Sequence, residues 1–360
     1  MLEKRRYLHG YVAQPYTATL VITTLLLCCF TFWMFIETPR VQLIVPDEKL
    51  QPSYILLVPD NVSSSTLQQQ QQQQQEAYSL NNLSIDDETR LIDLNDFKFI
   101  INHDLCNKTE PLLLIMIHTA PKNYDKRLTI RETWGKKTSD IVILFLIGAT
   151  DEYHDSIIEE NKKYNDIIQG NFIDAYKNMT YKHVMTLKWA TYYCSNTKYI
   201  LKIDDDVFIN IRELIDFIKH NLSPWGARRM ILCDPLPPSA VKRTYRSKWR
   251  VSPQEYPDRN YPGYCAGYAI LYSPDSVFLL YREAQKLPYF WIDDVHITGT
   301  VAINVNLTHD SLHSYILRHD DMIKLIHNSN YQHKSFIFGP PDMTEDNIKA
   351  LHRISSNNTT

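Results

Sequence analysis

Residues 17–36 (TATLVITTLLLCCFTFWMFI) are twenty consecutive positions without a charge. At 1.5 Å of rise per residue such a run crosses a hydrocarbon layer ~30 Å thick. Lys4, Arg5 and Arg6 precede it and Glu37 follows directly. The positive-inside bias therefore predicts a cytosolic tail over residues 1–16, an anchor over 17–36 and a luminal remainder, the type II arrangement. A cleaved signal peptide would have a shorter apolar region ending in small residues, which Trp33-Met34-Phe35-Ile36 does not offer.

Everything beyond the anchor is then expected in an oxidising compartment. Four of the six cysteines, Cys106, Cys194, Cys233 and Cys265, fall there, beside Asn-x-Ser/Thr sequons at Asn61, Asn82, Asn107, Asn178, Asn306, Asn357 and Asn358. With 38 basic and 41 acidic residues the formal net charge is −3. No field of that size recruits nucleic acid, so partners must be read from local sites.

Residues 37–105 are polar, lack periodic apolar pattern and hold an unbroken tract from Gln68 to Gln75. They read as a luminal stem, compatible with homodimerisation. From Cys106 the pattern changes. Apolar runs of strand length at 112–117, 141–147 and 199–203 alternate with stretches of helical period, including one opened by Thr180, one capped by Asn210 and one begun by Ser273-Pro274. This alternation predicts an α/β domain with a doubly wound, mostly parallel sheet over 106–327. Residues 328–360 read as a loosely packed C-terminal extension.

The run at 199–203 leads straight into Asp204-Asp205-Asp206. In open α/β sheets ligands bind beyond the carboxyl ends of strands. On an extended backbone Asp204 and Asp206 point to one side and Asp205 to the other. Two carboxylates on one side suit a hard divalent cation that keeps positions for phosphate oxygens. Such an ion neutralises the charge that develops on a diphosphate leaving group. The competing reading is a solvated acidic turn.

Arg131-Glu132-Thr133-Trp134-Gly135, Lys202 to Asn210 and Asp293-Asp294-Val295, with Tyr261-Pro262-Gly263-Tyr264-Cys265-Ala266-Gly267 between them, occur in the order and spacing of one family. Over about residues 111–325 the chain resembles the β1,3-galactosyltransferases, which use UDP-sugars. The resemblance implies a GT-A type, Rossmann-like sheet flanked by helices, an inverting mechanism, Mn2+, and Golgi residence. It further implies that Asp206 is the direct metal ligand, with Asp204 and Asp205 at the metal shell and ribose. His319 would complete the shell, and Arg127 and Arg131, four apart on one helical face, would lie near the nucleotide.

Inversion by direct displacement needs a carboxylate to take the acceptor hydroxyl's proton, and the resemblance gives that role to Asp294. The family's usual glutamate is Asp293 here and its usual aromatic is His296, a shorter acid and a titratable ring. Cys106 with Cys194 and Cys233 with Cys265 is the pairing the strand order favours, among three connectivities open to four cysteines. The function these observations predict is transfer of galactose from UDP-galactose to a glycoprotein or glycolipid glycan in β1,3 linkage. The alternatives are an N-acetylglucosaminyltransferase of the same mechanism and an inactive, membrane-anchored glycan-binding protein.

Overall fold

The apolar runs become strands because they are long enough for a sheet and uniform enough to be buried on both faces. Strand β2 (Leu113–His118) is buried throughout. Its alternate residues divide between two cores, Leu113, Ile115 and Ile117 facing one, Leu114 and Met116 the other. Each such side chain stabilises the fold by roughly 1.5–3 kcal/mol on burial.

The computed structural model describes residues 56–57 and 79–357, apart from 107–109, 137, 329–330, 332 and 334, all within one compact unit, Pro52–Thr360. Residues 17–36 and the glutamine tract lie outside the described residues. Among the described residues no helix is long and apolar enough to cross a membrane.

In chain order the main elements are β1 (Phe99–Ile101), β2, α1 (Tyr124–Glu132), β3 (Ile141–Ala149), α2 (His154–Tyr164), β4 (Ile167–Ile173), α3 (Met179–Tyr193) and β5 (Tyr199–Asp204). Then come α4 (Ile211–His220), β6 (Ile231–Leu236), β7 (Tyr264–Tyr272), α5 (Pro274–Ala284), a π-helical turn (Val295–Val301), β8 (Asp310–Ser311), α6 (His319–His327) and α7 (Glu345–Asn357). The eight strands form one sheet in the order β8-β6-β7-β5-β2-β3-β4-β1. Strands β5, β2, β3 and β4 run parallel, whereas β7 lies antiparallel between β5 and β6 and β1 is an antiparallel edge. The predicted mostly parallel sheet flanked by helices is present, and it is mixed, because β7 and β1 pair antiparallel.

The predicted caps form with one difference. Asn210 accepts from the Glu213 N–H at 3.5 Å. The Ser273 hydroxyl instead accepts from the Met230 N–H at 2.9 Å, so it fastens α5 to the sheet. Helix α3 is buried on nearly every side, and its polar residues are spent on tertiary partners: Thr180 donates to the Phe290 carbonyl at 2.6 Å and Lys182 to the Thr119 carbonyl at 2.6 Å.

Two segments differ from their compositional reading. Within the expected stem, Leu91, Ile92 and Phe97 are buried against α3 and α5. Asp87 is buried too, accepting from Tyr192 Oη at 2.7 Å, from Tyr281 Oη and from Gln285 Nε2 at 3.1 Å. Beyond residue 328, Phe336, Ile337, Phe338, Met343, Ile348 and Leu351 belong to the core, and the Phe338 carbonyl accepts from the Leu317 N–H at 2.8 Å. The stretch read as loosely packed is part of the fold.

Disulfides join Cys106 to Cys194 and Cys233 to Cys265, the expected pairs, and fit an oxidising compartment. The second closes a loop, 32 residues apart in sequence, that carries a small separate core of Val241, Val251 and Tyr261 with Phe290, Trp291 and Val295. Cys233→Ala/Cys265→Ala is expected to lower unfolding free energy by about 2–5 kcal/mol. A thermal melt measures that loss.

Candidate active site

Strand order reverses beside β2, because β3 follows on one side while β5 returns to the other. Ligand crevices open at such a switch point. His118 and Asp204 end β2 and β5 as register partners, and a cavity of about 550 Å3 lies there, lined by Thr119 to Asn123, Asp174, Lys182 and Asp204 to Asp206.

The strand stops at Asp204, and Asp205 and Asp206 lie in a turn. Strict alternation therefore ends one residue too soon for the sequence reading, and Asp205 does not point away. Its carboxylate accepts from Thr119 Oγ1 at 2.6 Å, Asn123 Nδ2 at 2.7 Å and Lys126 Nζ at 3.1 Å. The same ammonium reaches Asp206 Oδ2 at 3.2 Å. Asp204 is held from below by the buried Lys202, at 2.8 Å. Burial pushes the Asp204 carboxyl up to about 6 even though Lys202 draws it down.

The donor set fits a hard divalent cation. Asp204 and Asp206 keep 35% and 24% of their side chains exposed, and carboxylates are the oxygen ligands Mn2+ accepts. Lys126 would have to release Asp206 on loading. Among the described residues no group of three or more His, Cys, Asp and Glu side chains is arranged to hold an ion, so phosphate and water oxygens would fill the remaining positions. His319 is exposed at the start of α6 and lines neither this cavity nor the next.

The two arginines sit on α1 with their guanidinium groups already engaged. Arg127, fully buried, forks onto Glu160 at 2.8 and 2.6 Å and donates to the Ala120 and Pro121 carbonyls at 2.7 and 3.1 Å. Arg131 forks onto Asp166 at 3.0 and 2.8 Å. Arg127 thereby shapes the loop that walls the cavity, whereas Arg131, which also reaches Glu160 at 2.7 Å, ties α1 to Asp166 and α2. Arg127→Met is expected to cost roughly 3 kcal/mol in urea denaturation, because Glu160 loses its principal buried partner. Arg127→Lys should recover little of it, since one ammonium cannot replace the fork.

A second cavity of about 410 Å3 adjoins the first, sharing Tyr176, Met179 and Asp204 with it. Asp293 and Asp294 line it with Trp249, Tyr261, Tyr264, Gly267 and Trp291. Asp294 Oδ1 accepts from the Val295 N–H at 2.8 Å, capping the π-helical turn. A Cβ on Gly267 would lie 3.5 Å from Asp294 Oδ2, so this glycine keeps space beside the second oxygen. Burial, then the neighbouring Asp293, push the Asp294 carboxyl up to about 7. Burial also penalises ionised Asp293, but His183 and Lys202 outweigh it and hold that carboxyl down to about 2.

A buried chain fixes Asp293. His183 Nδ1 lies 3.0 Å from its Oδ2, and His183 Nε2 lies 3.2 Å from Tyr272 Oη. Burial keeps His183 neutral. The arrangement is satisfied when Nδ1–H donates to Asp293 and Nε2 accepts from the tyrosine. Burial likewise pushes His296 down to about 4, so its ring stays neutral near pH 7 and packs 6.5 Å from Phe290. Sequence reading did not single out Lys126, His183 or Tyr272.

Residues 125–313 match the galactosyltransferase family. The chain belongs to that family. It is 35% identical over 217 residues to "Beta-1,3-galactosyltransferase 1" of Homo sapiens and of Mus musculus, an alignment covering 58% of this chain and 66% of each relative. It is also 31% identical over 244 residues to the human "UDP-GalNAc:beta-1,3-N-acetylgalactosaminyltransferase 1", covering 64% of this chain and 73% of that one. The matched residues of this galactosyltransferase-family chain include Asp204 to Asp206 and Asp293-Asp294.

Proposed function

We propose that this chain transfers a hexose, galactose, from its UDP conjugate to a glycan hydroxyl in β1,3 linkage with inversion, as a type II protein of the Golgi membrane. The observation that carries the reading is the pair of adjoining cavities meeting at Asp204. One presents carboxylates where a metal-bound diphosphate would lie, and the other presents a carboxylate of raised proton affinity.

Asp204 and Asp206 would hold Mn2+ and Asp205 would brace the turn, with Lys126 passing from the aspartates to a phosphate oxygen. The ion, when bound, stabilises the negative charge of departing UDP. Arg127 acts by positioning the donor loop through the Ala120 and Pro121 carbonyls, and Arg131 braces Glu160, the partner of Arg127. Asp294 accepts the proton of the acceptor hydroxyl through Oδ2 as that oxygen bonds to the anomeric carbon and the bond to UDP breaks. Asp293, held ionised by His183, keeps Asp294 a competent base near neutral pH. Tyr176 and Met179, common to both cavities, help exclude water between donor and acceptor.

The test supplies labelled UDP-galactose, UDP-N-acetylgalactosamine and UDP-N-acetylglucosamine to the full chain with an acceptor panel, with Mn2+ or with chelator. Metal-dependent transfer from UDP-galactose supports the reading. Preference for either N-acetyl donor replaces galactose but keeps the mechanism, and the N-acetylgalactosaminyltransferase relative makes that arm necessary. Tight UDP binding without transfer to any acceptor would favour the inactive glycan-binding protein.

A further inference from the structure

The wall of the second cavity carries charge that proton transfer does not use. Residues 242–250 read KRTYRSKWR, five cations and no acid within nine positions, in a chain whose net charge is −3. Runs of this kind are usually solvated faces. Here the run lies against the cavity, since Lys242 and Trp249 both line it.

Two of the five cations are spent on the loop itself. Arg243 donates to the Val251, Tyr256 and Asp258 carbonyls at 3.0, 2.7 and 2.8 Å, and Arg250 stacks 3.9 Å over Tyr245. Lys242 and Lys248 form no ion pair among the described residues. Lys248 Nζ rests 4.4 Å over the Trp249 ring. Lys177 Nζ lies 5.6 Å over Trp291, another lining residue. An ammonium on an indole face keeps donors free for an anion. Glu255 offsets part of this field, being within electrostatic reach of Lys177 and Arg250.

Sign is thus distributed by depth. The floor holds Asp204, Asp293 and Asp294 around a single Lys202, and the rim holds lysines set on aromatic rings. Trp249, 45% exposed, and Tyr176, 56% exposed, both line the cavity and offer apolar faces to a sugar ring. A neutral hydroxyl suits the floor, while an anionic substituent suits only the rim.

We propose that the acceptor is an anionic glycan in which the sugar next to the accepting hydroxyl carries a carboxylate or sulfate that Lys242 and Lys248 bind, with Lys177 over Trp291 adding to the same field. This rests on the transferase reading for the direction in which the acceptor enters. The rim also draws such a glycan in over distances set by ionic screening, about 8 Å at physiological salt.

The test gives the full chain UDP-galactose and three matched acceptors: a galactose-terminated disaccharide with glucuronate beside the galactose, its carboxyl-reduced counterpart and its sulfated counterpart. Transfer, and binding to the UDP-loaded chain, are measured at low and high salt. The expected result is kcat/KM for an anionic arm about tenfold or more above the neutral arm at low salt, shrinking as salt screens the rim. Lys242→Ala/Lys248→Ala should bring the ratio toward one, while UDP titration shows an intact donor site. The carboxylate and sulfate arms identify the group. A ratio near one that ignores salt, or a preference for the neutral glycan, overturns the inference and leaves the transferase standing. Preferential binding of the anionic glycan without transfer from UDP-galactose or from either UDP-N-acetylhexosamine keeps the inference and overturns the transferase.

Discussion

Asp294→Asn is expected to lower transfer by about 10²–10⁴-fold and, at pH 8, to raise the melting temperature. Both effects have one cause. Burial and Asp293 push the Asp294 carboxyl up to about 7, so the folded protein resists ionising the group proposed to accept the proton. An acid whose folded pKa is raised contributes stability that is fully present below its unfolded value, near 4, and is lost as pH rises through about 7. Asparagine relieves that cost only where the aspartate would be ionised. The gain should be roughly 1–3 kcal/mol at pH 8 and absent at pH 4. The unsubstituted chain should show kcat/KM climbing through pH 6 to 7 and levelling above, since only ionised Asp294 can act as base. His183 and Asp293 on its flank, Lys202 and Asp204 from β5, and Tyr264 and Tyr272 from β7 face this group. A variant inactive at every pH but no more stable at pH 8 would mean that Asp294 is not the strained base described here.

The parts of this site legible in sequence are those encoded within a few residues. A buried strand followed at once by acids located Asp204 to Asp206, and the strand runs located the sheet that aims them. Asp294 carries no comparable local mark and was recognisable only through family resemblance. What stayed hidden is long-range: His183 lies 110 residues from Asp293, Lys126 lies 80 from Asp206 and Lys202 lies 65 from Gly267. A histidine inside an ordinary helical pattern gives no sign that its ring will meet an acid of the second cavity. Composition misled at Asp87 for a related reason, because that polar segment is held by hydrogen bonds from Tyr192 and Tyr281 as well as by apolar burial. Arginine spacing was read correctly as one helical face, but a face does not reveal that Glu160 and Asp166 will occupy the guanidinium groups.

Lys202→Met tests how the two cavities are joined. Lys202 is 1% exposed, and its ammonium bonds both Asp204 Oδ1 and the Gly267 carbonyl, bridging the strand of the donor acids and the strand beside the proposed base. Burial alone would lower its proton affinity, but Asp204, Asp293 and Asp294 together outweigh that and hold it above the ordinary lysine value. Its stabilisation is therefore present throughout the neutral range and lost only as pH rises past that raised value. Methionine keeps much of the side-chain volume and removes the charge. The expected cost is about 3–5 kcal/mol in denaturant unfolding at pH 8, because carboxylates that shared one cation are left without it. At pH 5 the cost should be smaller, since Asp204 and Asp294 are then largely protonated and have less charge to leave unpaired. In the same variant the acid limb of kcat/KM should move to higher pH, because Lys202 draws the Asp294 carboxyl down. An equal loss of stability at both pH values with an unmoved acid limb would reduce Lys202 to a packing residue and leave donor and acceptor sites electrostatically independent.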